Sequence, residues 1–109
     1  MCQNLRSLTY VMQLKGTGPK TELGIHQDWS LMDPEKFRSY TLWIPLIDTT
    51  ADNGGMYVIP RSHRLQNNVR GGNIDSPYSK IYGTVMSKME PYFVKAGTAV
   101  LIDLSLIHI

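Results

Sequence analysis

Apolar and polar residues alternate along this chain in short runs, punctuated by glycine, proline and asparagine. Residues 7–15 are rich in β-branched and aromatic side chains and read as a strand, broken by Gly16-Thr17-Gly18-Pro19. Residues 22–29 read as a second strand. Residues 32–37 have the form of one helical turn, with Asp33 as N-cap and Pro34 at the first helical position. Residues 38–47 alternate most cleanly, with Tyr40, Leu42 and Ile44 on one face and Thr41 and Trp43 on the other. Residues 48–55 are a turn region in which Asn53-Gly54 is the tightest hairpin signal. Residues 56–59 are a short strand ended by Pro60, and Arg61-Ser62-His63-Arg64 reads as a turn. Residues 92–94 and 98–103 are strands joined by Lys95-Ala96-Gly97. Before them, residues 65–90 form a long polar excursion with short ordered pieces around 81–89. Such excursions on a β scaffold often serve as lids or binding loops. Many short strands, Gly/Pro turns and almost no helix predict an all-β sandwich or small barrel.

Composition narrows the function classes. The chain has 109 residues, enough for one small domain. Eleven Lys and Arg against nine Asp and Glu leave a net charge of +2, which gives no electrostatic case for a nucleic-acid partner. No apolar run approaches the roughly 20 residues of a membrane span, and residues 1–10 lack the apolar core of a secretory signal. Cys2 is the only cysteine, so no internal disulfide is possible, and an intracellular, cytoplasmic setting is expected. The chain reads as incomplete at both ends. A strand begins within its first residues, and an apolar strand runs into the terminus.

The chemistry centres on His26-Gln27-Asp28. On a strand, alternate side chains share a face, so His26 and Asp28 offer an imidazole nitrogen and a carboxylate oxygen to one point. That pair is two-thirds of a 2-His-1-carboxylate triad, which holds Fe(II) and leaves coordination positions open. Alone, His-x-Asp is a weak pattern, and a lone histidine is more often an ordinary partly buried side chain. Lys15, Lys36 and Arg38 read as solvated charges.

Three blocks occur in series: His26-Gln27-Asp28-Trp29, then Trp43-Ile44-Pro45-Leu46-Ile47-Asp48, then Asn53-Gly54-Gly55 through Ile59-Pro60-Arg61-Ser62-His63-Arg64. In this order and spacing the chain, over about residues 10 to 103, resembles the phytanoyl-CoA dioxygenase family of Fe(II)/2-oxoglutarate oxygenases. The resemblance implies a double-stranded β-helix (a cupin-like jelly roll) that binds one iron and one 2-oxoglutarate. It implies that O2 is consumed, that 2-oxoglutarate becomes succinate and CO2, and that a C–H bond of a small organic substrate is hydroxylated. His26 and Asp28 would be iron ligands. A carboxylate at position 28 favours hydroxylation over halogenation, which needs a small residue there. Thr41 and Trp43 would wall the 2-oxoglutarate pocket, the alternative for Trp43 being plain core. Trp29 and Met32 would shape the substrate mouth or simply pack. His63 falls in a block the family uses structurally and reads as a turn histidine rather than a ligand. One departure stands out: Arg61 occupies a position where the family commonly has glycine. Glycine there serves a positive φ, so arginine implies a relaxed turn or a nearby anionic contact.

The resemblance places the distal histidine about eleven residues after the glycine that opens the late strand, which from Gly97 lands on His108. The implied triad is His26, Asp28 and His108. Leu104-Ser105-Leu106-Ile107-His108-Ile109 also matches the in-frame translation of a transposon-end sequencing adapter, so residues 104–109 have two readings, native strand or non-native tail. The family's 2-oxoglutarate-anchoring arginine lies some ten residues beyond the distal histidine, past Ile109, so the chain as written is expected to bind cosubstrate poorly. Two rival readings are a non-enzymatic cupin-like binding module and an inactive fragment of an oxygenase. The substrate and the oligomeric state stay open.

Overall fold

The computed structural model describes residues 9–14, 16, 23–65, 68–71 and 77–109. Among the described residues the ladders are all antiparallel, and the one α-helix, α1 (Tyr82–Met86), has five residues. Strand β1 (Tyr40–Trp43) pairs with β4 (Val100–Asp103), from Tyr40 opposite Asp103 to Trp43 opposite Val100. Strand β2 (Met56–Val58) pairs with β3 (Glu90–Tyr92), with Met56 opposite Tyr92.

The second ladder continues past β2. The Ile59 N–H donates to Ile107 O at 3.0 Å, and the Ile109 N–H donates to Tyr57 O at 3.1 Å, so residues 107–109 run along the free edge of β2. His26 then pairs with His108 on the far edge of that segment. After β4 the chain crosses from the first ladder to the second through a turn in which the Leu106 N–H donates to Asp103 O at 2.9 Å. No helix among the described residues is long and apolar enough to cross a membrane.

The period of two fixes which side chains meet. Along β1, Thr41 and Trp43 are half-buried while Tyr40 and Leu42 are exposed, as the alternation predicts. Ile25 and Ile107 neighbour the paired histidines and leave the opposite face of the sheet. There they form a buried cluster with Val85 of α1, against which Ile59, Tyr78, Met89 and Ile109 pack. Each such aliphatic side chain contributes about 1.5–3 kcal/mol through burial. The long excursion therefore returns as a cover for one face and leaves the histidine face toward β1.

Local signals explain the turns. Asp33 caps its helical turn, its Oδ1 accepting the Glu35 N–H at 3.0 Å. At Asn53-Gly54 the chain makes a 3-10 turn (Ala51–Asn53) closed by a capping box. The Thr50 N–H donates to Asn53 Oδ1 at 2.7 Å, and Gly54 exits at φ 82°. The segments it joins lie in different ladders, so the glycine marks a crossing and not a hairpin. Gly55 is required because a Cβ there would lie 2.5 Å from the Phe93 ring and from Thr50 O.

Several strands are shorter than the alternation predicts, and one differs outright. Among the described residues 9–14 no ladder forms, and Tyr10 is 90% exposed. β-branched content expresses a preference, but a strand needs an edge to pair its backbone. Residues 7, 8, 15, 17–20 and 22, which belong to the expected first two strands and the break between them, lie outside the described residues, as does Cys2. The 22–29 strand contracts to the single pair at His26. Arg61 keeps a left-handed φ of 65°. The turn has thus not relaxed to suit arginine, and among the described residues no anionic group is recorded against it.

Candidate metal centre

His26 and His108 are brought together by main chain. Each N–H donates to the other's carbonyl at 2.9 Å, so the two are directly opposite on neighbouring extended segments and point the same way. Their ring centroids lie 4.4 Å apart at an interplanar angle of 52°. Asp28, two residues after His26, shares that face. Its Oδ1 is 3.8 Å from His26 Nε2 and 3.7 Å from His108 Nε2.

Each ligand atom is oriented by a partner. Nδ1 of His26 contacts Gly24 O at 2.7 Å, and Nδ1 of His108 contacts Leu106 O at 2.9 Å. A carbonyl only accepts, so both Nδ1 atoms carry a proton, and in the neutral tautomer that this selects Nε2 is the bare nitrogen, facing inward. Thr41 donates to Asp28 Oδ2 at 3.3 Å, which leaves Oδ1 facing the histidines. One ligand atom from each of the three residues lies within 4.8 Å of the others, close enough for small side-chain rotations to bring all three onto one ion. Two imidazoles and one carboxylate are the donor set of a facial triad, so these residues fit a ferrous ion. His63 is not part of this group. It sits in the 3-10 turn Ser62–Arg64, where its carbonyl accepts from Ser105 Oγ at 3.4 Å, in line with its structural reading.

The supporting cast was only partly visible in sequence. Thr41, expected in the wall of the 2-oxoglutarate pocket, donates to the Asp28 carboxylate. Trp43 is half-buried on the same face of β1. Ser62, 1% exposed, accepts the Ile107 N–H at 2.8 Å, so the Pro60-Arg61-Ser62-His63 turn is pinned beside the distal histidine. Gln27 points away from the ligand face. Its amide donates to Ser105 O, and its Oε1 accepts from Tyr78 at 3.0 Å. Burial pushes the Tyr78 phenol above its ordinary value, with the nearby Arg70 charge opposing.

Arg70, unremarked in the polar excursion, clamps the carboxylate segment. Its Nε donates to Asp28 O at 2.8 Å, its N–H to Ser30 Oγ at 3.0 Å, and its carbonyl accepts the Ser30 N–H at 2.9 Å. No composition or periodicity signal singles out such an arginine, because its guanidinium contacts main-chain carbonyls. Beside this clamp opens a cleft of about 490 Å³ lined by Met32, Phe37, Arg38 and Arg64 among others. Trp29 is 63% exposed and does not line it. Two side chains expected to be plainly solvated have partners: Lys36 meets Asp33 at 2.9 Å and Arg38 meets Asp103 at 3.5 Å. Both are largely exposed, and such pairs contribute little, roughly 0–1 kcal/mol. Lys15 lies outside the described residues.

Comparison with known proteins agrees with the geometry. A family model described as phytanoyl-CoA dioxygenase (PhyH) matches residues 1–109. No curated protein and no solved structure matches the chain. With the match spanning every residue and a His-Asp-His cluster at its centre, the chain belongs to the phytanoyl-CoA dioxygenase family, whose members are Fe(II)/2-oxoglutarate-dependent oxygenases.

Proposed function

We propose that this chain carries the iron-binding part of a hydroxylase that uses 2-oxoglutarate and O2 to oxidise a C–H bond of a small organic substrate, releasing succinate and CO2. The observation that carries the reading is the convergence of His26 Nε2, Asp28 Oδ1 and His108 Nε2, with both Nδ1 atoms already committed to carbonyls. Bound Fe(II) would supply the redox chemistry that couples decarboxylation of the oxo acid to oxygen insertion.

The residues of the chain supply placement. With Fe(II) held by two neutral imidazoles and one carboxylate, the centre would carry a single net positive charge, which would attract an anionic oxo acid. Thr41 and Trp43, on the inner side of β1, wall the space where it would lie. The cleft beside Arg70 and the excursion behind it give the substrate an approach next to the Asp28 segment. No general base is prominent in this set, and C–H hydroxylation asks for none. Two antiparallel ladders joined by crossings at 44–55 and 104–106 support the expected jelly-roll architecture for the complete domain.

The test is turnover by the protein expressed from its uninterrupted gene, read as succinate release across a panel of candidate substrates. Succinate should form with Fe(II) and stop in Asp28→Ala. Undiminished succinate from that variant would falsify the proposal. Fe(II) uptake independent of His26 would favour a plain binding module instead.

A further inference from the structure

We propose that Thr41 is a positioning residue for the carboxylate ligand: its hydroxyl reserves Asp28 Oδ2, so that Oδ1 alone is offered to a metal ion. The proposal rests on the metal-centre reading given above. Thr41 Oγ1 and Asp28 Oδ2 are 3.3 Å apart, while Oδ1 faces both histidines at 3.8 and 3.7 Å. The two residues come from different parts of the fold. Asp28 follows the His26 pair, and Thr41 stands on β1, held in register opposite Ile102.

The freedom of Asp28 is otherwise already limited. Arg70 grips its main-chain carbonyl at 2.8 Å, so what remains is rotation of the side chain about χ1 and χ2. Threonine is suited to stop that rotation. Its branched Cβ restricts χ1, so the hydroxyl is presented in a fixed direction. A carboxylate that binds through one oxygen uses one coordination position. Through both oxygens it would use two and take a position that cosubstrate or O2 needs. Thr41 thereby sets how many open positions the centre keeps, without touching the reacting atoms.

The experiment loads the full chain with Co(II) alone and records the loaded-minus-apo infrared difference spectrum for wild type, Thr41→Val, Thr41→Ala and Thr41→Ser. A carboxylate bound through one oxygen shows widely separated symmetric and antisymmetric stretches, and one bound through two shows a narrow separation. Wild type and Thr41→Ser should give the wide pattern. Thr41→Val and Thr41→Ala should give the narrow one at unchanged circular dichroism, with Co(II) affinity altered about 10-fold. A wide pattern in either folded hydroxyl-free variant overturns the role of Thr41 while leaving the metal centre intact. Absence of Co(II) uptake by the wild type overturns the metal-centre reading and this proposal with it.

Discussion

His26 and His108 form a reciprocal pair, each main-chain N–H reaching the other's carbonyl at 2.9 Å while the imidazoles stand side by side. The backbone contact does not depend on the side chains, but ligation does. Replacing either histidine by alanine should therefore leave the fold nearly unchanged and weaken Co(II) binding by more than the roughly 10- to 100-fold typical of losing an outer-shell partner. Isothermal titration with circular dichroism on the same samples checks this. Equal affinity in His108→Ala would remove that residue from the centre.

The same separation of backbone from side chain bears on residues 104–109. Any residues there could pair through main chain with Tyr57, Ile59 and His26, but only histidine at 108 completes the donor set. Reading the gene across these codons should return histidine at 108 and an arginine some ten codons later. A different residue at codon 108 would leave the chain as written with a histidine its gene does not encode, and the three-ligand centre would fail for it.

Arg61 sits at φ 65° in a turn whose neighbour Ser62 is wholly buried. A left-handed backbone costs a branched or long residue about 1–2 kcal/mol, partly offset by the greater unfolded-state freedom of glycine. Arg61→Gly should stabilise the chain by about 0.5–1 kcal/mol, seen as a rise of several degrees in Tm for a domain this small. A fall in Tm would show that the Arg61 side chain contributes more than its backbone strain costs.

Asp48 and Lys95 make a pH-dependent clasp between two turns. The carboxylate accepts from Lys95 Nζ at 2.6 Å and from the Ala96 N–H at 2.9 Å. These contacts hold the Asp48 carboxyl below its ordinary value, the hydrogen bond from Lys95 being the largest cause, and they raise the Lys95 ammonium above its own. The stabilising part from Asp48 is thus complete above the ordinary carboxylate value of about 3.9 and disappears as pH falls through its lowered one. The part from Lys95 is complete below about 10.4 and disappears as pH rises through its raised value. Denaturant midpoints followed across pH should drop at both extremes. In Asp48→Asn both drops should shrink. Both side chains are exposed, which keeps the effect small and salt-sensitive.

What sequence could show here depended on how local the cause was. The shared face of His26 and Asp28 follows from strand periodicity alone, and so does the inward pointing of Thr41 and Trp43. The bond from Thr41 to Asp28 needs two ladders to pack against each other, which no window of sequence contains. Arg70 was invisible because it recognises carbonyls, and every residue has one. Described residues 9–14 form no ladder because β propensity at Tyr10 and Val11 does not supply a neighbouring edge. At Arg61 neither alternative, a relaxed turn or an anionic contact, is seen among the described residues, because the buried Ser62 and its bond to Ile107 hold the turn in place whichever residue precedes it.

His26 and His108 lie far apart along the polypeptide, and the loop between them must close before both can serve one ion. During synthesis the emerging chain would first offer only His26 and Asp28, a two-donor grip that ferrous iron would leave readily. Metal capture would thus wait until residues 107–109 have paired with β2 and with His26. Retention of the ion would then serve as a gauge of whether these distant segments have met.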